Sequence, residues 1–110
     1  MKPTLKPLKF VGSSQDDIRD FPEAVRRAIG TELMVVQFGG APSDFKPMSS
    51  VGAGAYEVRV RIDGAWRAIY VAKFADAVYV LHAFQKKTQK TSKFDIDLAA
   101  ARYKLIAGKP

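Results

Sequence analysis

The chain of 110 residues has no cysteine and a single histidine, His82. Without cysteine there can be no disulfide and no thiolate-held zinc or iron–sulfur centre, and one imidazole is too few for a histidine-rich metal site. No metal and no cofactor is therefore expected, and a reducing cytoplasm is a compatible location. Long apolar runs are missing too. No stretch approaches the roughly 20 apolar residues that a membrane-crossing helix needs. The start, Met1-Lys2-Pro3-Thr4-Leu5-Lys6-Pro7, is charged but has no apolar segment behind it, unlike a secretory signal. The expectation is a cytoplasmic protein with no membrane partner. Acidic residues are also scarce: eleven Asp and Glu face eighteen Lys and Arg, for a net charge of +7 and a pI near 9.8. That excess favours a polyanionic partner, either nucleic acid or an acidic protein. With 47% hydrophobic residues, the chain suits one domain, residues 1–110, with one modest core.

Leu8-Lys9-Phe10-Val11 alternates and stops at Gly12-Ser13-Ser14, as a short strand does. Ser14 with Asp17 three residues on resembles a capping box, and Ile18 and Phe21 supply an apolar stripe for a first helix. Pro22 suits the first position of a second helix. Val25, Ala28, Ile29, Leu33 and Val36 recur at helical spacing to about Gln37, and Gly39-Gly40 closes the segment. Ala41 to Ala53 holds Pro, Ser and Gly without a period and is expected to be a loop. From Tyr56 to Ile62 the period becomes two, Asp63-Gly64 marks a hairpin, and Trp66 to Lys73 is the return strand. A third strand runs from Ala77 to about Gln85. The basic segment Lys86-Lys87-Thr88-Gln89-Lys90-Thr91 follows, then Ser92 as a cap and a helix from Lys93 to about Ile106; Gly108-Lys109-Pro110 frays. The order predicts an α+β domain: a small twisted antiparallel sheet with an N-terminal helical hairpin and a C-terminal helix on one face, the other face free for partners.

The turn decides where the arginines fall. A two-residue Asp63-Gly64 loop would place Arg61 opposite Trp66 and Arg59 opposite Ala68, with Arg67 on the far side. A three-residue loop, Ile62-Asp63-Gly64, places Arg59 opposite Arg67 and gathers Tyr56, Val58, Val60, Trp66, Ala68 and Tyr70 into one apolar layer. The second register is preferred because it also avoids burying Arg67. Like charges opposite one another destabilise a sheet, which suggests an anion to be held there. The plainer possibility is an ordinary solvated face neutralised by Glu57 and nearby acids. Alternation assigns His82 to the face of Val78, Val80 and Phe84, either as a hydrogen-bonded structural group or as a proton donor or base-stacking residue. Trp66, Tyr70, Tyr79 and Phe84 read as core. Arg61, Lys86, Gln89 and Lys90 are candidate RNA contacts, and Arg59, Arg67, Lys87 and His82 are candidate catalytic residues. Cleavage through the substrate's own 2′-hydroxyl needs cations for the phosphorane and no metal.

Tyr56-Glu57-Val58-Arg59-Val60, Trp66-Arg67-Ala68-Ile69-Tyr70-Val71 and Val80-Leu81-His82-Ala83-Phe84-Gln85-Lys86-Lys87-Thr88-Gln89-Lys90-Thr91 together resemble the RelE/ParE toxin superfamily. The His-x-Phe-x-Lys-Lys-Thr run is similar to that of its phage-derived Gp49-like, HigB-type branch, and the likeness spans about residues 8 to 106. The resemblance implies the toxin of a type II toxin–antitoxin pair: a ribosome-dependent endonuclease acting on mRNA, held in check by a cognate helix-turn-helix antitoxin. By position it implies a catalytic role for Arg67, a supporting one for Arg59 and approximately one for Lys87. The tyrosine that RelE-like members carry near the C-terminus has no counterpart before Tyr103, and His82 is the nearest substitute. ParE-type relatives on the same fold imply another function, inhibition of DNA gyrase without catalysis, and a basic RNA-binding module without activity is a third.

Overall fold

The computed structural model describes residues 5–108, so Met1 to Thr4 of the charged lead, and Lys109 and Pro110 of the segment expected to fray, lie outside the described residues. The chain forms β1 (Leu8–Phe10), α1 (Ser14–Arg19), α2 (Glu23–Gln37), β2 (Phe45–Pro47), β3 (Ala55–Arg61), β4 (Ala65–Val71), β5 (Val78–Lys86) and α3 (Lys93–Ala107). The five strands make one sheet in the order β1-β5-β4-β3-β2. The α+β class, the helical pair near the start and the C-terminal helix are as the sequence predicts.

Three features differ from that expectation. First, the sheet is mixed, because β1 pairs parallel to β5 while the other pairs are antiparallel. Second, the expected loop 41–53 contains a short edge strand, with Lys46 opposite Glu57 and Pro47 opposite Tyr56. Pro47 cannot donate to a ladder, which suits the end of an edge strand. Third, both sheet faces are covered. Val25, Ile29, Leu33 and Val36 of α2 pack with Val58, Val60, Trp66, Ala68, Tyr70, Val78 and Val80 on one face. Ala99 and Ile106 of α3 pack with Ile69, Val71, Tyr79, Leu81 and Phe84 on the other.

The helix starts also differ in detail. Ser13, not Ser14, occupies the N-cap position of α1 and donates to Asp17 at 2.9 Å, whereas Ser14 is buried and donates to the Val80 carbonyl at 3.0 Å. Pro22 is the N-cap of α2, immediately before its first helical residue.

The hairpin has the three-residue turn. Asp63 has φ +46° and Gly64 φ +134°, Ile62 N–H donates to the Gly64 carbonyl at 3.1 Å, and Trp66 Nε1 donates to the Ile62 carbonyl at 2.9 Å. Arg59 consequently pairs with Arg67 and Val60 with Trp66. Between β4 and β5 the register shifts: Ile69 pairs with His82 but Tyr70 pairs with Val80, so the ladder skips Leu81. This bulge turns His82 away from the face of Val78 and Val80 and overturns the simple alternation; Phe84 remains its neighbour. Arg102 of α3 donates to the Leu81 carbonyl at 2.8 Å, tying the helix to the bulge.

Two glycines give opposite expectations. The Gly64 φ of +134° is closed to side chains, so Gly64→Ala is expected to lower the free energy of urea unfolding by about 1–3 kcal/mol. Gly30 is exposed within α2 and has nothing within 4 Å of an added Cβ. Gly30→Ala should raise it by about 0.5–1 kcal/mol.

Candidate nucleic-acid interface

Alternation from the observed register puts Lys46, Glu57, Arg59 and Arg61 on the same face as Arg67, Phe84 and Lys86. This is the α3 side of the sheet, but α3 covers only part of it. Arg61 is exposed, Arg59 and Lys86 are partly exposed, and they leave a basic strip at the hairpin end.

The register is the expected one, but the expectation that it leaves Arg67 unburied fails, because Arg67 packs beneath that strip against Glu57. It is 3% exposed, its Nε lies 3.4 Å from Oε1 of Glu57, itself 1% exposed, and its Nη1 donates to the Trp66 carbonyl at 3.0 Å. The Nε makes no hydrogen bond to the carboxylate and has no other partner among the described residues. The second Glu57 oxygen accepts from the Thr91 hydroxyl at 2.6 Å. Asp44 approaches Arg59 Nη1 at 3.9 Å, and its carbonyl accepts from Arg59 N–H at 2.9 Å.

The cations disfavour one another. Burial lowers the Arg67 pKa; Glu57 works against that, and Arg59 and Arg61 add to the lowering. Lys86 is lowered by partial burial and then by Arg67, with Arg59 and Lys46 contributing and Glu57 opposing. Desolvation leads both shifts, and the neighbouring cations add to it.

His82 sits apart from the strip. It is 6% exposed, its Nε2 is 2.7 Å from Asp95 Oδ1, and its ring stacks on Phe84 at 4.9 Å. Its Nδ1 is buried without a partner. Asp95 also accepts from Ser92 Oγ at 2.6 Å, while the Asp95 N–H donates back to Ser92 Oγ at 3.1 Å, so the cap of α3 and His82 share one carboxylate. Lys87, Gln89 and Lys90 are exposed on the loop between Lys86 and Thr91. The structure thus groups Arg59, Arg61, Arg67 and Lys86, puts Lys87, Gln89 and Lys90 on the adjoining loop, and holds His82 against α3.

Glu57, Lys46 and Thr91 are constituents that sequence reasoning underrated. Alternation with Arg59 was a usable signal for Glu57; Lys46 in an apparent loop gave none. A larger cavity, about 430 Å³, lies at the end of α2 on the opposite sheet face, between Phe38, Phe45 and Tyr70. Its cation, Lys6, already donates to the carbonyls of Ala72 and Phe74 at 2.6 and 2.8 Å. Among the described residues, no group of three or more His, Cys, Asp or Glu side chains is placed to hold a metal ion, and no helix is long and apolar enough to cross a membrane.

The protein is therefore a small basic α+β domain whose sheet gathers Arg59, Arg61, Arg67 and Lys86 on one face. A family model for phage derived protein Gp49-like (DUF891) matches residues 16–104, and the chain belongs to that family. No curated protein matches it closely enough to show kinship.

Removing one member of a buried ion pair strands the other, so Glu57→Ala is expected to cost about 3–5 kcal/mol in chemical denaturation. Asp44→Ala, which breaks an exposed 3.9 Å contact, should cost under about 1 kcal/mol. Titration of the lysine Nζ groups by NMR should show Lys86 deprotonating before Lys93, which Asp97 shifts upward. Because the folded state binds the Lys86 proton less tightly than the unfolded chain does, this group's contribution makes stability rise with pH as Lys86 loses its charge below 10.5. Lys86→Met should remove that alkaline increment.

Proposed function

We propose that the protein is a toxin that cleaves mRNA on the ribosome, using the basic strip to bind the backbone and stabilise the phosphorane. The observation that carries this is the placement of Arg59 opposite Arg67, with Arg61 and Lys86 on the same face and one carboxylate, Glu57, buried among them. Membership of the Gp49-like family and the resemblance of the strand motifs to RelE/ParE toxins support it.

In this mechanism the substrate's 2′-hydroxyl gives its proton to water as its oxygen bonds to the adjacent phosphorus, and the P–O5′ bond breaks to leave a 2′,3′-cyclic phosphate and a 5′-hydroxyl, so no metal is required. Arg59 and Arg61, which reach solvent, contact the phosphate oxygens. Arg67 lies beneath them and contributes a fixed positive charge at short range, where a low dielectric makes it count most. Lys86 is partly buried with a lowered pKa, which brings an ammonium nearer the range where it can hand a proton to the leaving oxygen. Lys87, Gln89 and Lys90 grip the flanking strand. His82, engaged with Asp95, acts at one remove by fixing the start of α3 and the end of that loop. The partners are the ribosome with its mRNA, and a helix-turn-helix antitoxin that covers the strip, in the cytoplasm.

The test is induction in cells, with primer extension on translated mRNA. Wild-type protein is expected to arrest growth and leave cuts within codons. Arg59→Ala combined with Lys86→Ala, which disturbs neither sheet core, should reduce cleavage by about 10²–10³-fold with an unchanged circular dichroism spectrum. Arrest that persists in this variant, with no mRNA cuts and with gyrase trapped on cleaved plasmid, would overturn the proposal in favour of gyrase inhibition.

A further inference from the structure

Beside the basic strip is a second cavity, of about 330 Å³, between the segment after β2 and the beginning of α3. Its walls are held in place. Val51 N–H donates to the Met48 carbonyl at 2.9 Å, closing the turn over Ser49 and Ser50. Tyr103 Oη of α3 donates to the Ala53 carbonyl at 2.6 Å, and the Tyr103 ring lies so close to Gly52 that a Cβ there would meet it at 2.6 Å. A Cβ at position 52 would force either the turn or the Tyr103 ring to shift.

The lining has the composition of a nucleotide site. Lys46 and Lys90 stand at the cavity with no carboxylate in ion-pair range among the described residues. Met48 is buried and Ile96 half-buried, giving apolar surface for a base face, and the exposed Ser49 and Ser50 hydroxyls can address a base edge. The cavity is continuous with the strip through two residues. Lys46 is opposite Glu57 in the ladder, and Thr91 donates to Glu57, the partner of Arg67. A volume near the lower end of ligand pockets suits one mononucleotide, and a base can enter such a pocket only when it is unpaired and unstacked.

We propose that this cavity binds one ribonucleotide of the single-stranded substrate, its base against Met48 and Ile96 and its phosphate between Lys46 and Lys90. It is the nucleotide beside the phosphate held over Arg59 and Arg67, and in that respect the inference rests on the endonuclease function proposed above. Base contacts at Ser49 and Ser50 make the cavity the place where sequence preference is set, while the strip supplies attraction that is blind to sequence.

Titration of the full-length ¹⁵N-labelled protein with the four ribonucleoside 5′-monophosphates tests this without relying on cleavage. Saturable shifts are expected at the amides of Ser49, Ser50, Thr91 and Ile96, differing among the four bases, with inorganic phosphate at the same concentration failing to reproduce them. Lys46→Ala combined with Lys90→Ala should raise the dissociation constant about tenfold or more. Ser50→Trp, which fills the cavity from an exposed position, should abolish the shifts while the spectrum stays dispersed. Shifts confined to Arg59, Arg61 and Lys86, shifts that phosphate alone reproduces, or shifts that survive Ser50→Trp would each overturn the proposal. Nucleotide binding in the cavity of a protein that leaves mRNA intact would sink the endonuclease function and spare the site; mRNA cutting without cavity shifts would do the reverse.

Discussion

The Ile62-Asp63-Gly64 turn fixes which residues of β3 and β4 face each other, and a turn one residue shorter would carry every side chain of β4 to the opposite face. In the observed register Trp66, Ala68 and Tyr70 join the α2 core. Burying large apolar side chains of this kind is worth roughly 1.5–3 kcal/mol each. Setting Arg59 against Arg67 opposes that by about 0.2–1 kcal/mol, the scale of a cross-strand pair. The core therefore wins the register, and the cationic pair on the reverse face follows from it. The positive φ of Asp63 and Gly64 and the bond from Trp66 to the Ile62 carbonyl hold the turn to that choice.

A register that stacks arginines needs a counter-charge, and Glu57 supplies it from the middle of the face. It pairs with Arg67, accepts from Thr91 and lies opposite Lys46, so one buried carboxylate joins β2, β3, β4 and the residue before the α3 cap. It does not neutralise the face. Arg59, Arg61 and Lys86 still reach the surface. The arrangement allows the domain to fold with the cations already assembled on one face.

The parts legible in the sequence were those with a strong period or a defined turn. Val25, Ile29, Leu33 and Val36 announce α2, and the β3 alternation together with Asp63-Gly64 yields the hairpin and its register. The parts that were not legible depend on distant partners. Phe45–Pro47 is too short to show a period, and nothing local in Leu8–Phe10 reveals that its partner is Val78–Val80 in parallel. The placement of α3 was hidden because its apolar residues are spread around the helix: Ala99 and Ile106 are buried while Phe94 and Leu105 are 72% and 65% exposed. His82 was assigned to the wrong neighbours because a bulge at Leu81, invisible to strict alternation, reverses the phase of β5 in mid-strand. For the candidate site, the arginines were readable as a cluster, but the burial of Arg67 beside Glu57 follows from three-dimensional packing.

The loop carrying Lys87, Gln89 and Lys90 joins these constraints. Exposed lysines on a free segment would lose substantial conformational entropy on gripping a strand, of order 1–2 kcal/mol per fixed backbone residue. Here both ends are anchored. Lys86 is in the ladder opposite Ala65, and Thr91 is bonded to Glu57, followed by the Ser92 cap and the Asp95 carboxylate that also holds His82. The loop is therefore short and closed at both ends, and its cations stay beside the strip and the nucleotide-sized cavity. His82 takes part in that anchoring, because its bond to Asp95 ties the strand that ends in Lys86 to the helix that begins after Thr91.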